Sequence, residues 1–121
     1  MPFQVSTTRF PQFVQLTVSG PNSIKCFVEL IDSVAVETAL WGDRRVLVDL
    51  RAVEGSLTPT EQIFLGELVA QSFPHMERVA SVVPPEQITH NSETAAQELG
   101  MRLRVFSSEE EAVQWLRSGQ T

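Results

Sequence analysis

The chain has 121 residues, 42% of them hydrophobic and 20% charged, with a formal charge of −6. That length predicts one domain whose core needs no metal or disulfide staple. The acidic balance, with one lysine and eight scattered arginines, excludes a nucleic-acid surface, and a lone Cys26 excludes an internal disulfide.

In chain order, Phe3 to Thr7 and Val14 to Ser19 alternate apolar and polar residues, which predicts two half-buried strands joined by a hairpin at Arg9-Phe10-Pro11. Gly20-Pro21-Asn22-Ser23 ends the second strand and supplies a cap for a helix from Ile24 to about Leu40. Ile24, Phe27, Val28, Ile31, Val34 and Ala35 make its inward stripe, and Gly42-Asp43 ends it.

Val46-Leu47-Val48-Asp49-Leu50 reads as a strand covered on both faces, followed by a turn at Val53-Glu54-Gly55-Ser56. Thr58-Pro59-Thr60-Glu61 opens the next helix with a hydroxyl cap, a proline at the first position and a glutamate at the third. Phe64, Leu65, Leu68, Val69 and Phe73 are its stripe, and Pro74 stops it. Val79–Val83 is a second buried strand, Ser92–Leu99 a short capped helix closed by Gly100, and Leu103–Phe106 the last strand. Ser108 and three glutamates start the final helix, which faces Ala112, Val113, Trp115 and Leu116 inward. The order is β-β-α-β-α-β-α-β-α. It predicts a mixed, mostly parallel α/β sheet of about five strands with helices packed against it.

This order, the stretch Val46-Leu47-Val48-Asp49-Leu50-Arg51 and the closing Arg104-Val105-Phe106-Ser107-Ser108-Glu109-Glu110-Glu111-Ala112-Val113-Gln114-Trp115-Leu116 resemble the STAS family (sulfate transporter and anti-sigma factor antagonist), in particular its SpoIIAA-like branch of small bacterial proteins. The resemblance spans roughly Val14 to Leu116. It implies a single STAS-like domain over residues 1–121 and a non-enzymatic regulatory or protein-interaction module. In phosphorylated anti-sigma factor antagonists an Asp-Ser-Ser-Gly motif stands after the central strand, and a partner kinase modifies its first serine. The matching positions here are Leu57, Thr58, Pro59 and Thr60, so the hydroxyl survives at Thr58 without the motif around it. Some SpoIIAA-like proteins resemble lipid-transfer folds, which implies an apolar ligand cavity as the alternative function.

The residues themselves give two candidate sites. Gly55, Ser56, Thr58 and Thr60 form a surface where a strand feeds a helix N-terminus, the place expected to recognise another protein. Capping alone explains Thr58, and an ordinary turn explains Gly55. Phe27, Ile31, Trp41, Phe64 and Leu68 would line a pocket for a lipid-like molecule if the first two helices share a sheet face, the simpler reading being a dense core. An exposed Trp41 would mark a binding surface or dimer contact.

Cys26 is expected to fill the core. His75 and His90 lie in loops without a ligand-spaced partner, so no metal, cofactor or hydrolytic site is expected. The Met-Pro-Phe-Gln-Val start lacks the pattern of a signal peptide, and no apolar run approaches the ~20 residues of a membrane span. The expected compartment is the cytoplasm. The expected partners are another protein, a second copy paired through an exposed strand edge, or an apolar small molecule.

Overall fold

Five strands, β1 (Gln4–Arg9), β2 (Val14–Pro21), β3 (Arg45–Glu54), β4 (Arg78–Val82) and β5 (Leu103–Phe106), lie side by side in chain order in the computed structural model, which describes residues 3–118. β1 pairs antiparallel with β2, and every later pair is parallel. Parallel neighbours need right-handed crossovers, and here each crossover steps in the same direction across the sheet. The connecting helices must therefore share one face. They do: α1 (Ile24–Trp41), α2 (Pro59–Ser72) and α3 (Asn91–Glu98) cover one side. α4 (Glu109–Arg117), which follows the last strand, folds back on the other.

The two-residue period of β3 divides its side chains between these layers. Val46 belongs to the larger core under α1 to α3, with Val48 and Leu50 packed on it, whereas Leu47 points into the core under α4. Leu47 and Leu116 are completely buried there, each stabilising the fold by about 1.5–3 kcal/mol. α1 starts at Ser23, whose hydroxyl accepts from the Cys26 N–H, and ends at Gly42 in the left-handed region (φ 73°). Asp49 faces the α4 side, 7% exposed, and accepts two bonds from the Arg51 guanidinium at 2.9 and 2.7 Å. That hydrogen-bonding guanidinium holds the Asp49 carboxyl below the usual carboxylate range.

The architecture is the one expected, with local differences that have physical causes. β1 is exposed along its whole length, because it pairs on one side only and a cleft separates it from α1. The expected turn at Val53-Glu54 is still strand, since β2 runs on through Gly20 and Pro21 and pairs with it. α3 begins at Asn91 without a side-chain cap, and a single 3-10 turn at Pro85–Gln87 precedes it. Cys26 is only half-buried, at the rim of a cleft between α1 and β1, rather than in the core.

Apart from Arg51, which sits with Asp49 and Glu109, several arginines come together in the fold. Arg45 pairs in register with Arg78, Arg44 and Arg45 both bind Glu77, and Arg78 and Arg104 both approach the Trp115 ring. Parallel strands place their starts at one end, and α4, running back, brings its carbonyl-rich terminus to the same end. Arg45 donates to Leu116 O and Ser118 O, and Arg78 donates to Trp115 O.

Candidate functional site: a cavity beneath the loop after the central strand

β3 delivers the chain to the loop Gly55–Thr58 at the end of the sheet opposite Arg45 and Arg78. Gly55 turns it with φ 83°, and a Cβ there would touch the Asn22 Cβ at 3.4 Å. Thr58 then caps α2: its hydroxyl accepts from Glu61 N at 3.2 Å, and the Glu61 carboxylate accepts from Thr58 N at 2.9 Å. Gly55, Ser56, Thr58 and Thr60 are all exposed. On the next turn of α2, Ile63 and Phe64 are also exposed, by 42% and 46%.

Below this loop lies a cavity of about 670 Å³ between α1, α2 and the sheet. Phe27, Leu30, Ile31 and Val34 of α1 form one wall, and Leu65, Val69 and Phe73 the other. Leu16, Val46, Val79 and Leu103 make a floor closed to water, and Leu50, Leu57 and Val105 leave accessible apolar surface around it. The exposed Gly55, Ser56, Pro59 and Glu86 carry the cavity to the surface.

Three contacts hold this shape. Gly66 of α2 meets the Ser92 backbone so closely that a Cβ would stand 2.3 Å from the Ser92 carbonyl oxygen, which draws α2 onto α3. Gln62 gathers the mouth: its amide donates to Leu57 O at 3.0 Å, while its carbonyl accepts from Thr89 at 2.6 Å and Asn91 at 2.8 Å. At the far end His75 Nε2 lies 2.8 Å from the Thr38 hydroxyl, which donates to Val34 O at 2.7 Å. With its hydrogen so placed, Thr38 accepts from the imidazole, and the C-terminal ends of α1 and α2 are tied together.

Of the pocket residues read from the sequence, the structure brings Phe27 and Ile31 together in the cavity. Trp41, Phe64 and Leu68 do not line it. Trp41 is 67% exposed beyond the last buried turn of α1, beneath the Arg9 guanidinium at 4.2 Å. Phe64 points to solvent because Leu65 takes the inward position, and Leu68 packs against the core. Sequence reasoning missed Asn22, Gln62 and the 3-10 turn as parts of the site. Asn22 was legible only as a helix cap, yet its Oδ1 is buried without a hydrogen-bond partner at the cavity edge. His90 bonds Glu93 at 3.1 Å on the surface, and no group of His, Cys, Asp and Glu among the described residues could hold a metal. No described helix is long and apolar enough to cross a membrane.

The SpoIIAA-like family profile matches residues 13–117. The chain belongs to the SpoIIAA-like family. Among solved structures, this SpoIIAA-like chain is similar to an anti-sigma factor antagonist from Mycobacterium paratuberculosis, at TM-score 0.67 and 10% identity over 95% of this chain and 94% of that one. It is also similar to an uncharacterised protein with a SpoIIAA-like fold from Shewanella loihica, at TM-score 0.57 and 20% identity over 95% and 93% of the two chains. At these identities the likeness establishes the fold that the SpoIIAA-like chain shares with them. No curated protein matches it.

Proposed function

We propose that this SpoIIAA-like protein is a non-enzymatic regulatory module of the cytoplasm that recognises another protein through the Gly55–Thr60 loop and the first turns of α2. The observation that carries this reading is the exposed apolar pair Ile63 and Phe64 directly behind the exposed Ser56, Thr58 and Thr60. Large apolar side chains left in water beside hydrogen-bonding hydroxyls are the composition of an interface centre and its rim. The likeness to an anti-sigma factor antagonist supports a protein as the partner. Thr58 lacks the flanking residues of a phosphorylated switch, so the surface itself is the recognition element.

The test is capture from the source cells with tagged wild type, Phe64→Asp and Thr58→Glu. A protein retained by wild type and lost from both variants supports the reading; identical capture by all three refutes it.

The second reading is carriage of a small apolar ligand, and the cavity between α1 and α2 favours it. Its volume of about 670 Å³ lies within the ~300–1,000 Å³ typical of small-molecule sites. Native mass spectrometry of the purified protein tests it, with a bound apolar molecule supporting it and a bare mass counting against it.

A further inference from the structure

We propose that the cavity takes an uncharged, single-chain amphiphile whose head is a hydrogen-bond donor, such as a long-chain alcohol or a monoacylglycerol, and rejects fatty acids and phosphate-headed lipids. The inference rests on the ligand-carriage reading and names the class of ligand for that same cavity.

Charge is the first argument. Among the described residues no lysine, arginine or histidine lines the cavity, and the one titratable residue there is the exposed Glu86 at the mouth. Arg44, Arg45 and Arg78 gather at the opposite end of the sheet, and Arg51, on the α4 face, is already paired with Asp49 and Glu109. A carboxylate or phosphate entering here would lose its hydration without gaining a cation, and it would face Glu86.

The helix N-termini near the mouth give an anion little. At α2 the first residue is Pro59, which has no N–H, and Glu61 already fills the cap with its own carboxylate. At α1 the Ser23 hydroxyl takes the Cys26 N–H. The cap positions nearest the mouth are thus already taken, and no cationic side chain among the described residues lines it.

Asn22 is the second argument. Its Oδ1 is the one buried side-chain polar atom among the described residues left without a partner, and Asn22 lines the cavity beside Gly55. A buried carbonyl oxygen without a donor is a cost that folded proteins rarely leave uncompensated. The oxygen is closed to solvent where it stands, so a ligand hydroxyl or amide N–H removes that cost once the Asn22 amide turns toward the cavity, whereas an anionic oxygen cannot pair with it. The apolar walls take the chain, and the Asn22 oxygen takes the head.

The experiment uses three ligands of one chain length: 1-dodecanol, dodecanoic acid and dodecyl phosphate, added to the intact protein at pH 8. Binding is read by native mass spectrometry and by the shift in melting temperature. Dodecanol is expected to bind and to raise the melting temperature, and the two anions to bind at least about tenfold more weakly. Asn22→Leu is expected to weaken dodecanol about tenfold without affecting the acid. Glu86→Gln, at an exposed position that leaves folding intact, is expected to improve acid binding several-fold. Equal or tighter binding of the acid by wild type overturns the head-group selection and leaves ligand carriage standing. Failure of all three to bind overturns both.

Discussion

Replacing Gly66 with alanine sets two effects of known sign against each other. In an exposed helix interior the change would stabilise by about 1 kcal/mol, through backbone entropy and helix propensity. Here the added Cβ stands 2.3 Å from the Ser92 carbonyl oxygen and 2.9 Å from its carbonyl carbon and Cα. Ordinary contact is about 3.5–4.0 Å, so α2 and α3 must separate by roughly 1 Å or more. No side chain can rotate away, because the obstruction is backbone. The separation also strains the bonds from Gln62 to Thr89 and Asn91. Overpacking of this kind costs about 3 kcal/mol, which leaves a net loss of about 2 kcal/mol. For a domain of this size the melting temperature should fall by roughly 6–10 °C. Urea unfolding followed by far-UV circular dichroism measures it, with Gln71→Gly on the exposed side of α2 as the control that loses propensity alone. A Gly66→Ala protein as stable as wild type, or more so, would refute the close α2–α3 contact.

Three further outcomes are expected. Thr58→Ala should cost about 1 kcal/mol by opening the capping box, and Thr58→Ser should restore most of it in the same urea titration. Arg45→Met should cost about 1.5–3 kcal/mol, because the α4 carbonyls of Leu116 and Ser118 lose their buried donor; unchanged stability would dismiss that anchor. Arg51→Gln should destabilise by about 1–3 kcal/mol at pH 7. Because the folded Asp49 value is depressed, its contribution is present above the ordinary carboxylate pKa of ~3.9 and lost as pH falls through the folded value. The gap between Arg51→Gln and wild type should therefore narrow below about pH 4, and a gap constant down to pH 2.5 would show that Asp49 is not its source.

Most of the architecture was legible in the residues because each element carries its own punctuation. Ser23, Thr58 and Ser108 all cap the helices they precede, and Leu103–Phe106 is the last strand to the residue. The helices share a face for a reason also present in the order of elements, namely parallel neighbours joined in one direction. β1 misled because alternation reports which residues are apolar, not whether anything covers them. Phe64 and Leu65 were both assigned inward, yet adjacent side chains point about 100° apart, and here Leu65 takes the core direction while Phe64 turns to solvent. Asn22 and Gln62 could not be found locally. What makes them part of the site is a partner far along the chain, or the lack of one.

The strand order has a consequence for how the molecule is made. Every strand lies beside the one synthesised just before it, so each new ribbon of backbone meets a finished template as it leaves the ribosome. No segment must wait for a distant part of the chain to arrive, which keeps loop closures short and assembly fast. Only α4, arriving last, closes the second layer, and until it docks Leu47, Val82 and Phe106 stay wet. A chain stalled before residue 109 would carry a complete sheet with one greasy side bare, the species a chaperone is built to hold.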